Sequence, residues 1–414
     1  MLSRDFAIQR ARGIIAEIEN LKDEDFPYDH SRLALDELEE RVRLRLDLLL
    51  NVTADDELDD VNRICRESLE QNFKLLPLLG FIVRSTHVRN SFEIFWPLLR
   101  LARQVLGDDV KLILSSEWWF SPHVYRPASE LPDYVLLGFP ASESSNPLLI
   151  PLAGHEFGHT TWQRHSLREK YAGKIQDRLL DAADSRSKDY LDQFGSGPER
   201  RVLAIDNLYP ALECALRQAE ETFCDFFGVR LFGIAYLHAF AYLVTPGGTT
   251  RDANYPSLNV RIANLEKVAR HMKFSPPASY SNWFRNDVNR FGVKDQFLVD
   301  LADEAATHIA DELLNEALDI AHKASVPTCT QSRLDKVKKA FSILTPATGI
   351  GDLVSIFTAA WEMYYQKELW RDVVRKEAED ERESLRLSIL NELVLKSIEI
   401  AEYEQRVQKV SHGS

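Results

Sequence analysis

Apolar residues recur three and four apart along most of this chain, a spacing that lines one face of a helix and leaves little room for an extensive sheet. Ala7, Ala11, Ile14, Ile18 and Leu21 share one such face; Leu35, Leu38, Val42, Leu46 and Leu49 form the next, and Val61, Ile64, Phe73 and Leu76 follow. Everything after Pro276-Pro277 returns to the same periodicity. The final stripe, Leu387, Leu390, Val394, Ile398 and Ala401, is too short for the sustained heptads of a coiled coil and is expected to dock on its own chain. One window departs from this texture. Beyond Gly107-Asp108-Asp109, the runs VKLILSSEWWF and YVLLGF concentrate β-branched and aromatic residues around a proline-containing stretch at 122–132, and together they predict a small sheet. The expected fold is mainly α with a small β-sheet, an α+β arrangement. It divides into a helical N-terminal module at 1–106, a core at 107–275 and a helical C-terminal module at 276–414. No internal repeat occurs at solenoid periods.

Charge and cysteine usage narrow the partners. Fifty basic against 64 acidic side chains leave a net charge of −14, without a segregated basic patch, so no nucleic-acid partner is expected. Cys65, Cys214, Cys224 and Cys329 are widely spaced and make no C-x-x-C pair, which suits a reducing compartment, the cytoplasm, and argues against a thiolate zinc site. The first residues, MLSRDFAIQRARGIIAEIENL, lack the apolar centre and cleavage site of a signal peptide. The most apolar stretch, 223–244, has the length of a bilayer span but carries Asp225, Arg230 and His238, so a buried helix is expected there and no membrane span.

The segment LLIPLAGHEFGHTTWQRH reads as a helix that begins or bends at Pro151, and it places His155-Glu156-Phe157-Gly158-His159, an H-E-x-x-H pattern, on that helix. Residues four apart lie nearly above one another, so both imidazoles project from one face and can grip one cation. Glu156, rotated by about 100° from His155, falls beside the cation rather than on it, where a general base is useful. On a later predicted helix, ALECALRQAEETFCDFFGVRLFG, Glu221 offers a third ligand and Asp225 a carboxylate one turn on. Asp225 is expected to accept from the non-ligating nitrogen of His155, fixing its tautomer. Glu220 competes with Glu221 as ligand; Glu221 is preferred because it shares a helix face with Asp225. Two His and one Glu around Zn2+ leave a fourth position open, the arrangement of a catalytic site.

These residues resemble the landmarks of the gluzincin zinc metallopeptidases, in particular the HtpX and CAAX-prenyl-protease type: GHEFGH, then E-T-F-C-D, then Tyr255-Pro256-Ser257-Leu258-Asn259-Val260-Arg261-Ile262. The likeness spans roughly residues 150 to 265. Tyr255 stands where that family usually has His, and the family's membrane helices have no counterpart here. The resemblance implies a zincin-like metallopeptidase core between helical flanks, acting on a peptide or protein substrate, with Tyr255 and Arg261 at the site. Tyr255 can donate a hydrogen bond to an oxyanion. Arg261 either clamps a carboxylate near the site or holds a surface ion pair. It also implies a sheet edge along the cleft, for which the 134–139 run is nominated as the strand that pairs with substrate.

Other residues carry two readings. His165 is turned away from the metal face and belongs on the surface, and His238 is either an oxyanion donor or a hydrogen-bonded core histidine. Tyr364 and Tyr365 either supply a phenol to the cleft or pack. The chain as a whole is expected to be a zinc-dependent metalloendopeptidase using Glu156 as general base and acid. The competing readings are a helical binding or regulatory protein with a vestigial or structural metal site, and a metal-free protein with a coincidental motif. A base beside the open position is what a purely structural site leaves unexplained.

Overall fold

The structure, a computed structural model, describes residues 2–53, 56–89, 91–119, 122–125, 130–195, 201–366 and 379–412. Part of the proline-containing stretch, part of the QFGSGPER separator and the first residues of the KEAEDERE run lie outside these. The chain is mainly helical and divides into two compact units, residues 1–95 with 108–145, and residues 96–107 with 146–414.

In the first unit, α1 (Leu2–Leu21), α2 (Asp29–Asn51), α3 (Leu58–Phe73) and α4 (Leu76–Val83) precede α5 (Ser91–Leu106), within which the chain leaves this unit. The predicted sheet follows as β1 (Lys111–Glu117), β2 (His123–Tyr125) and β3 (Tyr134–Pro140), in the order β1-β3-β2. β1 runs parallel to β3, with Lys111 opposite Tyr134 and Glu117 opposite Pro140; β2 is antiparallel to it. This corrects the nomination of the 134–139 run. β3 is the central strand of the described sheet, paired along its length with β1 and over Leu136–Gly138 with β2, so it is not the edge strand. Ile113, Tyr134 and Leu136 of the sheet join Ile14, Leu35, Leu38, Val42 and Phe81 in one apolar cluster, so burial ties the sheet to the N-terminal helices.

The second unit is organised around one long helix. After a 3-10 turn at Pro147–Leu152, α6 (Ala153–Arg164) begins, as Pro151 requires. It is followed by α7 (Leu167–Ser185), α8 (Ser187–Phe194), α9 (Arg201–Phe232) and α10 (Ile234–Val244). Then come α11 (Leu258–His271), α12 (Val293–His308), α13 (Ala310–Lys323), α14 (Gln331–Ser342), α15 (Leu353–Tyr365) and α16 (Glu379–His412). α9 packs against α6, α7, α11, α12 and α13, and from Gln218 to Phe232 every residue is buried, the polar Gln218, Glu220, Glu221, Thr222, Asp225 and Arg230 among them. Gly233, at φ 59° and ψ −139°, turns the chain between α9 and α10 in a conformation that a side chain would disfavour. Among the described residues no helix is long and apolar enough to cross a membrane. The C-terminal stripe docks within its own chain. Leu390, Val394 and Ile398 are buried where α16 meets α15 and the turn before α6. Trp361 of α15 donates Nε1–H to the Leu148 carbonyl at 3.2 Å, anchoring that same turn.

Candidate metal centre

α6 and α9 cross with almost nothing between their backbones. A methyl group at Gly158 would lie 2.7 Å from Cys224 Cα, and one at Gly154 would lie 2.9 Å from Gly228 Cα. The small residues at 154 and 158 therefore set the crossing, and the helix face that carries His155 and His159 is brought onto the carboxylates of α9.

Those carboxylates divide the imidazole nitrogens cleanly. His155 Nδ1–H donates to Asp225 Oδ1 at 3.0 Å, and His159 Nδ1–H donates to Glu220 Oε1 at 2.8 Å. Both Nε2 atoms face Glu221, His155 at 3.1 Å from one oxygen and His159 at 3.7 Å from the other. Zinc–ligand bonds of about 2.0–2.1 Å at the tetrahedral angle put neighbouring ligand atoms about 3.3–3.4 Å apart. The two imidazoles thus approach opposite oxygens of Glu221 at separations near that spacing. The contact expected between His155 and Asp225 is present.

Asp225 is itself held from several sides. Arg261 grips it in fork geometry, Nε to Oδ2 and Nη2 to Oδ1, both at 2.8 Å, and Tyr236 donates its hydroxyl to Oδ1 at 2.8 Å. Of the two readings of Arg261, the clamp is the one observed. Burial favours the neutral acid, but Arg261 and His155 outweigh it and hold the Asp225 carboxyl well below the usual carboxylate range. Burial also disfavours a charged His155, yet the bonds to Asp225 and Glu221 prevail and its pKa is pushed up to about 10. The site therefore attracts positive charge, whether a proton or a metal ion. Tyr255 lies above this network with its ring 5.6 Å from the Arg261 guanidinium carbon. The Glu221 carboxylate first, and burial second, push its phenol up to about 12, so it remains a donor at neutral pH. Glu156 is buried on α6 beside His155.

Three participants escaped the sequence. Glu220 was weighed only as a rival of Glu221, whereas adjacent helix residues point about 100° apart and each reaches a different nitrogen. The available signal was Arg217, three residues earlier, whose Nη1 donates to Glu220 Oε2 at 3.0 Å. Tyr236 was hidden in an apolar run. Cys224 is the third: one nitrogen from each of His155 and His159 and the Cys224 sulfur all lie within 4.8 Å of one another, a group that can hold a metal ion. The expectation against a thiolate at the site came from the lack of C-x-x-C pairing, which does not constrain a lone cysteine on a ligand-bearing helix. Burial, reinforced by Glu221 and its neighbours, raises the Cys224 thiol well above its ordinary value. It packs against Gly158 as a neutral group.

The remaining candidates lie elsewhere. His165 is exposed just beyond α6. His238 is buried in an aromatic cluster, stacked on Trp361 at 5.5 Å and beside Tyr365 at 4.9 Å; burial lowers its pKa to about 4, and among the described residues its Nδ1 has no hydrogen-bond partner, so it is a core histidine but not one hydrogen-bonded at that atom within them. Tyr364 donates to Glu383 at 2.6 Å and Tyr365 packs in the same cluster.

If Glu220 orients His159, Glu220→Ala should weaken metal binding by about 10- to 100-fold, the usual cost of losing a histidine's carboxylate acceptor. Competition against a chelator of known affinity measures this, and an unchanged affinity would show that Glu220 serves only as an ion-pair partner of Arg217. Comparison with protein-family models, with curated proteins and with solved structures finds no match for this chain.

Proposed function

We propose that this protein is a zinc-dependent peptidase. The observation that carries the reading is the approach of both imidazole Nε2 atoms to the Glu221 carboxylate, one to each oxygen, while each Nδ1 is engaged by its own acidic side chain. Imidazole nitrogens and a carboxylate suit zinc, and a second set of acceptors fixes both tautomers in the ligating form. A zinc ion held there supplies Lewis-acid polarisation of a carbonyl and lowers the pKa of water toward about 7. Glu156 accepts the proton released as water attacks the scissile carbonyl and returns it to the departing amine. Tyr255, still protonated at neutral pH, donates to the oxygen on which negative charge develops. Arg261 and Tyr236 hold the Asp225 carboxylate ionised and aimed at His155.

A second reading rests on Cys224. A cation taking His155, His159, Glu221 and the Cys224 sulfur together would have four protein ligands and no open position, the mark of a structural site in a binding or regulatory protein. One experiment separates the two. The zinc-loaded protein should cleave members of a peptide library, lose that activity to a chelator and regain it with zinc, and Cys224→Ala should retain both zinc and cleavage. A wild type that binds zinc without cleaving, and a Cys224→Ala variant that loses the ion, would establish the structural site instead.

A further inference from the structure

Tyr255 sits on a segment that lacks helix or strand, yet the segment is not loosely attached. Gln218 of α9, 1% exposed, directs its side-chain amide at it. One N–H of Nε2 donates to the Ala253 carbonyl at 2.9 Å and the other to Asp303 Oδ1 of α12 at 2.8 Å. Asp303 Oδ1 in turn accepts from Arg251 Nη2 at 2.5 Å, and Arg251 opens the same segment. Next to these, the Asn254 backbone N–H donates to Asp252 Oδ1 at 2.9 Å, and the Leu258 N–H that starts α11 donates to Asp287 Oδ2 at 2.8 Å.

We propose that Gln218, Asp303 and Arg251 form a latch that fixes the Tyr255 segment to α9, the helix bearing Glu221, and that Gln218 and Asp303 are positioning residues acting through Tyr255. The part of this concerning turnover rests on the peptidase reading; the latch itself does not. The chemistry is specific to an amide. A primary amide has two N–H donors for two acceptors, a carbonyl and a carboxylate, where a glutamate would meet a like charge and a leucine would take this donor from the Ala253 carbonyl and leave Asp303 Oδ1 with Arg251. Tyr255 needs such help. Its residue surface is 41% exposed, and its ring has only the flat face of Arg261 to rest on among the described aromatic and cation contacts. A phenol on a free loop would sample many positions, and misplacement by an ångström costs up to about a hundredfold in rate.

The test uses the full chain loaded with zinc, with Gln218→Leu, Asp303→Ala and the conservative Asp303→Asn, which keeps an acceptor at Oδ1. Amide hydrogen exchange over 249–258 reads the latch directly. Gln218→Leu and Asp303→Ala should speed exchange there by about tenfold or more and leave α6 unchanged, with Asp303→Asn close to wild type. Exchange unaltered by either disruptive variant overturns the latch. In peptide cleavage the disruptive variants should lower kcat between about 10- and 100-fold with little change in KM, and the Gln218→Leu loss should vanish in a Tyr255→Phe background. A loss that adds in full to that of Tyr255→Phe, or no loss at all, overturns the positioning role. If the wild type cleaves no peptide, the peptidase reading falls with the positioning role, while hydrogen exchange still decides the latch.

Discussion

Glu156→Gln should keep its zinc and lose peptide cleavage, with kcat falling by about 10²- to 10⁴-fold. The substitution changes one oxygen for an amide nitrogen of nearly equal size. It leaves His155, His159 and Glu221 untouched, so the metal content and KM are expected to stay near wild type. What it removes is the lone function of a base, since a carboxamide cannot take a proton from water at neutral pH. His159→Ala is the contrasting variant. It deletes a ligand, so zinc and cleavage should vanish together. Metal analysis of the purified proteins beside steady-state kinetics on one cleaved peptide distinguishes the two patterns. Cleavage by Glu156→Gln at the wild-type rate would remove Glu156 from the chemistry, and loss of zinc from the same variant would make Glu156 a ligand.

The parts of this site that could be read from the residues are those fixed by local geometry. Positions 155 and 159 share a face because a helix repeats every 3.6 residues, and 221 and 225 share one for the same reason. Their pairing across two helices, His155 with Asp225, followed from what a ligating imidazole requires of its other nitrogen. The partition of labour between Glu220 and Glu221 depends instead on how α6 and α9 cross, and that crossing is set by contacts of Gly154 and Gly158 with Gly228 and Cys224. No spacing within either helix contains it. The sheet makes the same point: β-branched and aromatic residues marked the strands, but the central place of β3 is a matter of pairing between distant segments, which leaves no mark within the 134–139 run. Tyr236 could be assigned a partner only once α10 was known to turn back at Gly233 beside Asp225.

Arg261→Met should destabilise the fold by about 3–5 kcal/mol, the expected cost when one member of a buried ion pair is removed and the other stays charged. Asp225 is 1% exposed, and Arg261 meets it with two parallel hydrogen bonds, so removal of the guanidinium takes two charge-assisted partners from a buried carboxylate. Methionine keeps most of the volume that packs near Phe240, which isolates the electrostatic part. The pH dependence supplies the sign. In the wild type the folded Asp225 ionises below its unfolded value of about 3.9, so its contribution is complete above that pH and is lost as pH falls through the folded pKa. Without Arg261 the folded pKa rises, since burial is then less opposed. The deficit of the variant should therefore be largest at neutral pH and should narrow as pH drops below about 4. Urea unfolding of the chelator-treated proteins at several pH values measures it. Asp225→Asn in the Arg261→Met background should recover a large share of the loss, because a neutral amide needs no counter-charge. A deficit independent of pH, or a double variant no more stable than Arg261→Met alone, would mean that Arg261 acts through packing and that the carboxylate aimed at His155 is held by its other neighbours.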